Sequence, residues 1–308
     1  MSFQHSSPPL TTELSIQDVE RASERIIKYI HRTPVLSSST LSAMTGIPGC
    51  TLYLKCENFN KVGAFKIRGA TNAVLKALEN GDDELKRKIK EGGVTTHSSG
   101  NHAQAIAKTS QMLGIPAHVV MPSNSPDVKK NAVEQTYGAR VVLCEPTLKA
   151  REETCEKIMK ETGAMFIHPY DNDDVIAGQG TAVKELLEQL KEEQKDICHS
   201  HFPLDVLIVP VGGGGLSSGS SLYFKEKAAL ELRDEKLEKN HVSDDQVLKA
   251  MKLVWERMKI VIEPSSATVV ALALYHDEFK QLALENEWKN IGMIISGGNT
   301  SMIFGEKK

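Results

Sequence analysis

The sequence predicts an α/β protein built on parallel sheets, and three observations carry that reading. Between about residues 93 and 169, short apolar runs near Val94, Val119, Val141 and Phe166 read as strands, with helical stretches starting near Asn101, Pro126 and Ala150 between them. Alternation of this kind builds parallel sheets with crossover helices. Two more runs, Val206-Leu-Ile-Val209 and Met293-Ile-Ile295, read as buried strands. Each runs straight into glycine, and the carboxyl ends of strands are where α/β proteins bind ligands.

Taken in order, residues up to about Pro9 read as a tail. Ser15-Ile-Gln-Asp18 has the form of a helix start, and Val19, Ala22, Ile26, Ile27 and Ile30 follow at helical spacing, so a helix is expected to run on until Pro34 stops it. Thr51-Leu-Tyr-Leu-Lys-Cys56 alternates as a strand does. The highly charged stretch Lys225 to Asn240 reads as helical, followed by a second helix from Asp244 to Lys259. The expected layout is a small α/β unit, residues 79–171, inserted into a larger unit made of residues 1–78 and 172–308.

Composition removes several classes of function. Thirty-seven basic against forty acidic residues give a net charge of −3, too balanced for a phosphate-backbone partner, so no nucleic acid is expected. No apolar run approaches the roughly 20 residues that span a bilayer, and Met1 to Thr12 has neither the basic nor the apolar part of a signal peptide. A cytoplasmic protein away from membranes is expected. Five scattered cysteines without C-x-x-C spacing read as reduced thiols. No H-x-x-x-H pair supports zinc, and Asp171-Asn-Asp-Asp174 lacks EF-hand spacing and reads as an exposed acidic loop. Trp255 and Met258, at helical spacing, read as packing residues.

Four segments can carry chemistry. Gly212-Gly-Gly-Gly215 lies between a strand and a helix expected near Leu216 or Ser217; it is either a plain turn or an anion cradle, in which bare amides and a helix dipole hold a phosphate. It matches neither nucleotide-binding glycine pattern. Lys66, in Gly63-Ala-Phe-Lys-Ile-Arg-Gly69, is flanked by apolar residues with Arg68 two positions on. Desolvation and a neighbouring positive charge are expected to lower its pKa and free a neutral amine for imine formation, although most lysines are simply solvated. In Thr96-His-Ser-Ser-Gly-Asn-His102, the residues Ser98, Ser99, Asn101 and His102 offer donors suited to a carboxylate at a helix start, or else an ordinary N-cap. Ile295-Ser-Gly-Gly-Asn299 ends a strand and, read alone, is a turn.

In this order the four segments closely resemble the fold-type II pyridoxal-phosphate enzymes, of the tryptophan synthase β-like kind, and among them the serine racemases and threonine/serine dehydratases. Thr33-Pro-Val-Leu, Glu57-Asn-Phe, Ala177-Gly-Gln-Gly-Thr181, Trp255-Glu-Arg-Met-Lys259 and Ile262-Glu-Pro264 extend the resemblance over most of the chain. It implies two parallel-sheet domains and pyridoxal 5'-phosphate as cofactor. By the same resemblance Lys66 is the Schiff-base lysine and Phe65 lies beside the ring. Asn101 is near the cofactor hydroxyl, the amides of Gly212, Gly213, Gly214, Gly215 and Leu216 are on the phosphate, and Ser296 is at the pyridine nitrogen. Ser98, Ser99, Asn101 and His102 bind the amino-acid substrate, and Ser99 is the second acid/base that racemisation needs opposite Lys66. The family also implies magnesium, a nucleotide effector and a homodimer.

One departure bears on activity. Between Gly215 and Glu263 the chain is shorter than family members by about the size of one βαβ crossover. The acidic magnesium site and a glycine loop are not found in Leu222 to Lys259, so no metal ligand is assigned. Two functions follow as expectations: a pyridoxal-phosphate enzyme that racemises serine and dehydrates serine or threonine, or a shortened pseudoenzyme that keeps the cofactor cradle with little activity. β-Replacement fits the Ser98-Ser99 pair less well.

Overall fold

A computed structural model describes residues 14–193, 202–228 and 242–300. Its elements form two four-stranded sheets. The strands of the first are β1 (Val35–Ser37), β2 (Thr51–Cys56), β7 (Val206–Ile208) and β8 (Asn290–Ile295), in the order β1-β2-β8-β7. β2 and β7 run parallel to β8 on either side, pairing Leu54 and Ile208 with Met293, while β1 is antiparallel to β2. The second sheet joins β3 (Val94–His97), β4 (Ala117–Pro122), β5 (Arg140–Cys144) and β6 (Met165–Phe166) in the order β5-β4-β3-β6, all parallel.

Twelve α-helices surround these sheets among the described residues: α1 (Ile16–Ile26), α2 (Ser39–Met44), α3 (Lys66–Asn80), α4 (Asp83–Gly92), α5 (Asn101–Leu113), α6 (Asp127–Asn131), α7 (Leu148–Thr162), α8 (Asp173–Glu193), α9 (Gly215–Lys227), α10 (Asp244–Met258), α11 (Pro264–Tyr275) and α12 (Asp277–Glu285). None is long and apolar enough to cross a membrane. α3 is buried all round from Ile67 to Leu75, because it lies between layers. Its Ile67, Ala70 and Val74 pack with Ile106 of α5 and Val94 and Val119 of the second sheet, while Gly69 meets Gly178 of α8 so closely that a Cβ on Gly178 would lie 2.6 Å from the Gly69 Cα.

Several expectations need correction. α1 starts as expected, with Ser15 N–H donating to the Asp18 carboxylate at 3.0 Å, but it ends at Ile26 rather than near Pro34. Tyr29 N–H closes a tight turn onto Ile26 O, and Ile27 is 68% exposed. The turn delivers Thr33 into a buried cluster, which a longer helix would carry away. β1 carries too short an apolar run to show in the sequence. Trp255 is 44% exposed, whereas Met258 rests on the core. The Asp171–Asp174 stretch is the entry to α8: Asn172 Oδ1 accepts from Val175 N–H at 2.9 Å, and Asp174 pairs with Lys76. Of the expected charged helix only residues 225–228 are described; 229–240 and Cys198 lie outside the described residues. Cys50, Cys56, Cys144 and Cys155 are free thiols.

Candidate active site

The ends of both sheets open on one cavity of about 630 Å³, and every residue singled out from the four motifs lines it. Phe65, Lys66, Ser98, Ser99, Asn101, His102, Gly212 to Leu216 and Ser296 come from four separate chain segments. They meet because β2, β3, β7 and β8 all run their carboxyl ends toward this side.

Lys66 is the first residue of α3, and its amine donates to Pro169 O at 2.6 Å with no carboxylate partner among the described residues. Burial lowers its pKa to about 8. The sequence-based reason was half right: desolvation acts, but Arg68 does not. That guanidinium points away, into Glu57 and Glu185, and burial alone accounts for the shift at Lys66.

The polar turn after β3 does not cap α5 with a hydroxyl. Its N-cap is Gly100, without a side-chain bond, and Ser98 Oγ accepts from Gly100 N–H at 3.3 Å instead. The first amides of this 13-residue helix, which lack partners within the helix, therefore face the cavity. His102 is buried, with Nε2 at 3.4 Å from Ile167 O and no partner at Nδ1. Burial holds its pKa well below the ordinary value, so it is neutral.

On the other wall, α9 begins at Gly215, and Gly214 has φ +93°, a backbone that requires glycine. A Cβ on Gly213 would lie 2.3 Å from the Tyr170 ring. Bare backbone is thus needed both for the turn and for contact with Tyr170, and the N-terminus of α9 faces the space left over. At the floor, Ser296 Oγ is 3.0 Å from Ser266 Oγ, and Ser296 O accepts from Phe65 N–H at 3.0 Å. The Lys66 loop and the Ser296 turn are therefore hydrogen-bonded to each other.

Several lining groups were not singled out in the sequence. Glu263 accepts from Asn101 Nδ2 at 3.0 and 3.2 Å and from Ser265 Oγ at 2.8 Å. Asn299 Nδ2 donates to Asn101 Oδ1 at 2.9 Å, so the Asn101 amide is gripped at both ends. Arg151, from the first turn of α7, reaches the cavity with Nε on Thr147 O at 3.3 Å and no ion pair among the described residues. Ile262-Glu-Pro264 was visible as a motif, yet its carboxylate meets Asn101 across 162 residues of chain, which no local pattern reveals.

Pyridoxal phosphate fits this donor set. Amides at a helix start suit its phosphate, a partly desolvated amine suits its aldehyde, and a serine hydroxyl suits its ring nitrogen. Among the described residues no group of three or more His, Cys, Asp or Glu is arranged to hold a metal.

Comparisons agree with this fit. Residues 26–238 match the family model for the pyridoxal-phosphate dependent enzymes. The serine racemase of Dictyostelium discoideum is 38% identical over 342 aligned positions, covering 96% of this chain and 97% of that protein. The β-hydroxyaspartate dehydratase of Paracoccus denitrificans is 37% identical, covering 93% and 96%. In three dimensions, the crystal structure of the Dictyostelium serine racemase matches with a TM-score of 0.77 over 94% of this chain and 99% of the other. A pyridoxal 5'-phosphate-dependent aspartate racemase matches with 0.78 at 35% identity, covering 94% and 97%. Because 342 aligned positions exceed the 308 residues of this chain, the Dictyostelium protein carries residues with no counterpart here. Fold, cavity and similarity converge: the chain belongs to the fold-type II family of pyridoxal-phosphate-dependent enzymes.

Proposed function

We propose that this chain racemises serine and dehydrates serine or a close β-hydroxy amino acid to a 2-oxo acid and ammonia. The observation that carries the reading is the placement of Lys66: a half-buried amine whose pKa desolvation lowers to about 8, in one cavity with the α9 glycine cradle and the Ser98–Asn101 turn. The serine racemases and the β-hydroxyaspartate dehydratase among the relatives support the substrate class.

Bound here, pyridoxal phosphate supplies the electron sink that makes the substrate Cα–H acidic. The residues do the rest. The Gly212–Leu216 amides hold the phosphate and Ser296, with Ser266 behind it, meets the ring nitrogen. The open amides of α5 and the hydroxyl of Ser98 hold the substrate carboxylate. Lys66 takes or returns the Cα proton on one face, and Ser99 serves the opposite face. Neutral His102 adds no charge to compete with Lys66.

Arg151 favours a second substrate with an acidic side chain, such as β-hydroxyaspartate, because an unpaired cation at the cavity wall would meet the extra carboxylate. The test is to incubate the purified protein and pyridoxal phosphate with L-serine, and separately with β-hydroxyaspartate, while measuring D-serine, pyruvate and oxaloacetate. D-serine with pyruvate is expected. Cofactor binding without any product would instead support a shortened pseudoenzyme, and oxaloacetate with no turnover of serine would make the acidic substrate the primary one.

A further inference from the structure

Arg68 lies two residues after Lys66 in the first turn of α3, and it is wholly buried. All five of its N–H donors are used. Nε and Nη2 grip the two oxygens of Glu57 at 2.7 and 2.8 Å, Nη1 reaches Thr181 Oγ1 at 3.2 Å and Glu185 Oε2 at 3.4 Å, and Nη2 also meets Glu185 Oε1 at 3.1 Å. Lys55, at the end of β2, is buried as well, and its three donors go to Glu185 Oε1 at 2.6 Å, Gln189 Oε1 at 2.6 Å and Thr33 O at 2.8 Å. Glu57 further accepts from Thr33 Oγ1 at 2.6 Å and Asn60 Nδ2 at 2.8 Å.

Two cations and two carboxylates make a neutral, fully satisfied cluster. Stability does not explain it, because well-packed apolar residues of the same volume are often as stabilising or more so. What apolar packing does not give is direction. A forked guanidinium on a carboxylate fixes distance and angle at once. This cluster ties the loop after α1, the end of β2, the turn into α3, α3 itself and α8 into one unit. The close approach of Gly69 and Gly178 removes the slack that would let α3 rotate.

We propose that Arg68, held by Glu57 and Glu185 and completed by Lys55, is the positioning residue that sets the height and rotation of the first turn of α3, and so presents the Lys66 amine to the cofactor aldehyde. The proposal rests on the reading of Lys66 as the attachment residue. Its effect is geometric: the two carboxylates match the two cations, Arg68 and Lys55, and Lys66 lies outside the cluster.

The experiment follows growth of the visible absorbance band when cofactor-free protein is mixed with pyridoxal phosphate. In parallel it measures the affinity for pyridoxine 5'-phosphate, which fills the cradle but has no aldehyde. Arg68→Lys keeps the charge and loses the fork; it is expected to slow attachment by about tenfold or more while pyridoxine 5'-phosphate affinity holds within about twofold. Glu57→Gln should act in the same direction and serves if Arg68→Lys does not fold. Leu274→Ala, a core change away from the cavity, controls for lost stability and should attach the cofactor at the normal rate. Unchanged attachment in the Arg68 and Glu57 variants, or slowing no greater than in a Leu274→Ala protein of equal melting temperature, overturns the proposal. A band equally strong in the unaltered chain and in Lys66→Ala overturns the Lys66 reading and the proposal with it.

Discussion

Lys66 and Ser99 are the two residues whose chemistry separates most cleanly. If they serve opposite faces of the substrate carbon, Ser99→Ala should reduce serine racemisation by about 10²-fold or more, the usual contribution of a positioned acid/base. Dehydration of the enantiomer whose proton faces Lys66 should continue, since loss of the β-hydroxyl needs no proton returned to the far face. Parallel assays of D-serine and pyruvate read the two outcomes apart, and undiminished racemisation would assign the second proton to another group. Lys66 also predicts a pH dependence: its amine is mostly protonated below its pKa of about 8, so cofactor attachment should quicken as pH rises toward 8 and level off above it. At this scale the sequence was legible where a contiguous motif lines the cavity, as around Lys66 and Gly212–Gly215. Glu263, Ser266 and Asn299 were not legible because each acts through a partner distant in the chain.

The elements that hold the site give predictions of their own. On the glycine loop before α9, Gly213→Ala would place a methyl 2.3 Å from the Tyr170 ring, so cofactor affinity should fall about tenfold or more, as a clash of that size forces the loop to move. Tyr170→Ala should restore much of that loss, which titration of the single and double variants measures. At the turn into α3, burial works to raise the pKa of Glu57, but Arg68 and the hydrogen bonds outweigh it and hold the carboxyl well below its ordinary value. A carboxyl depressed on folding contributes stability that is complete above its unfolded pKa and is lost as pH falls through the folded one. Melting temperature should therefore drop progressively below about pH 4.5, and Glu57→Gln should flatten that slope. The starts of α1 and β2 were legible from capping and alternation. The end of α1 was not, because Thr33 is pulled into a cluster made by β2, α3 and α8.

For the molecule as a whole, the alternating strands and helices were enough to give two parallel sheets, while the antiparallel β1 and the burial of α3 between layers depend on tertiary packing. Among the described residues β7, at the edge of the first sheet, has a partner on one side only, and an unpaired edge leaves backbone groups without a ladder. Each such group left dry costs about 1–3 kcal/mol against a total stability of about 5–15 kcal/mol. If the segment missing between Gly215 and Glu263 would extend this edge, the natural chain should melt lower, hold the cofactor more weakly and respond little to magnesium, compared with a variant carrying a family-like insert there. Equal melting temperature, turnover and magnesium response in the two would show the segment to be dispensable.

In the proposed function every step depends on attachment of the cofactor at Lys66, and one measurement reads that attachment directly. The purified protein is loaded with pyridoxal phosphate, reduced with borohydride, digested and mapped by mass spectrometry. The reduced adduct is expected on Lys66, within Gly63-Ala-Phe-Lys-Ile-Arg-Gly69, with loss of the visible band. An adduct on a different lysine, or none, would contradict the assignment of this cavity as the active site.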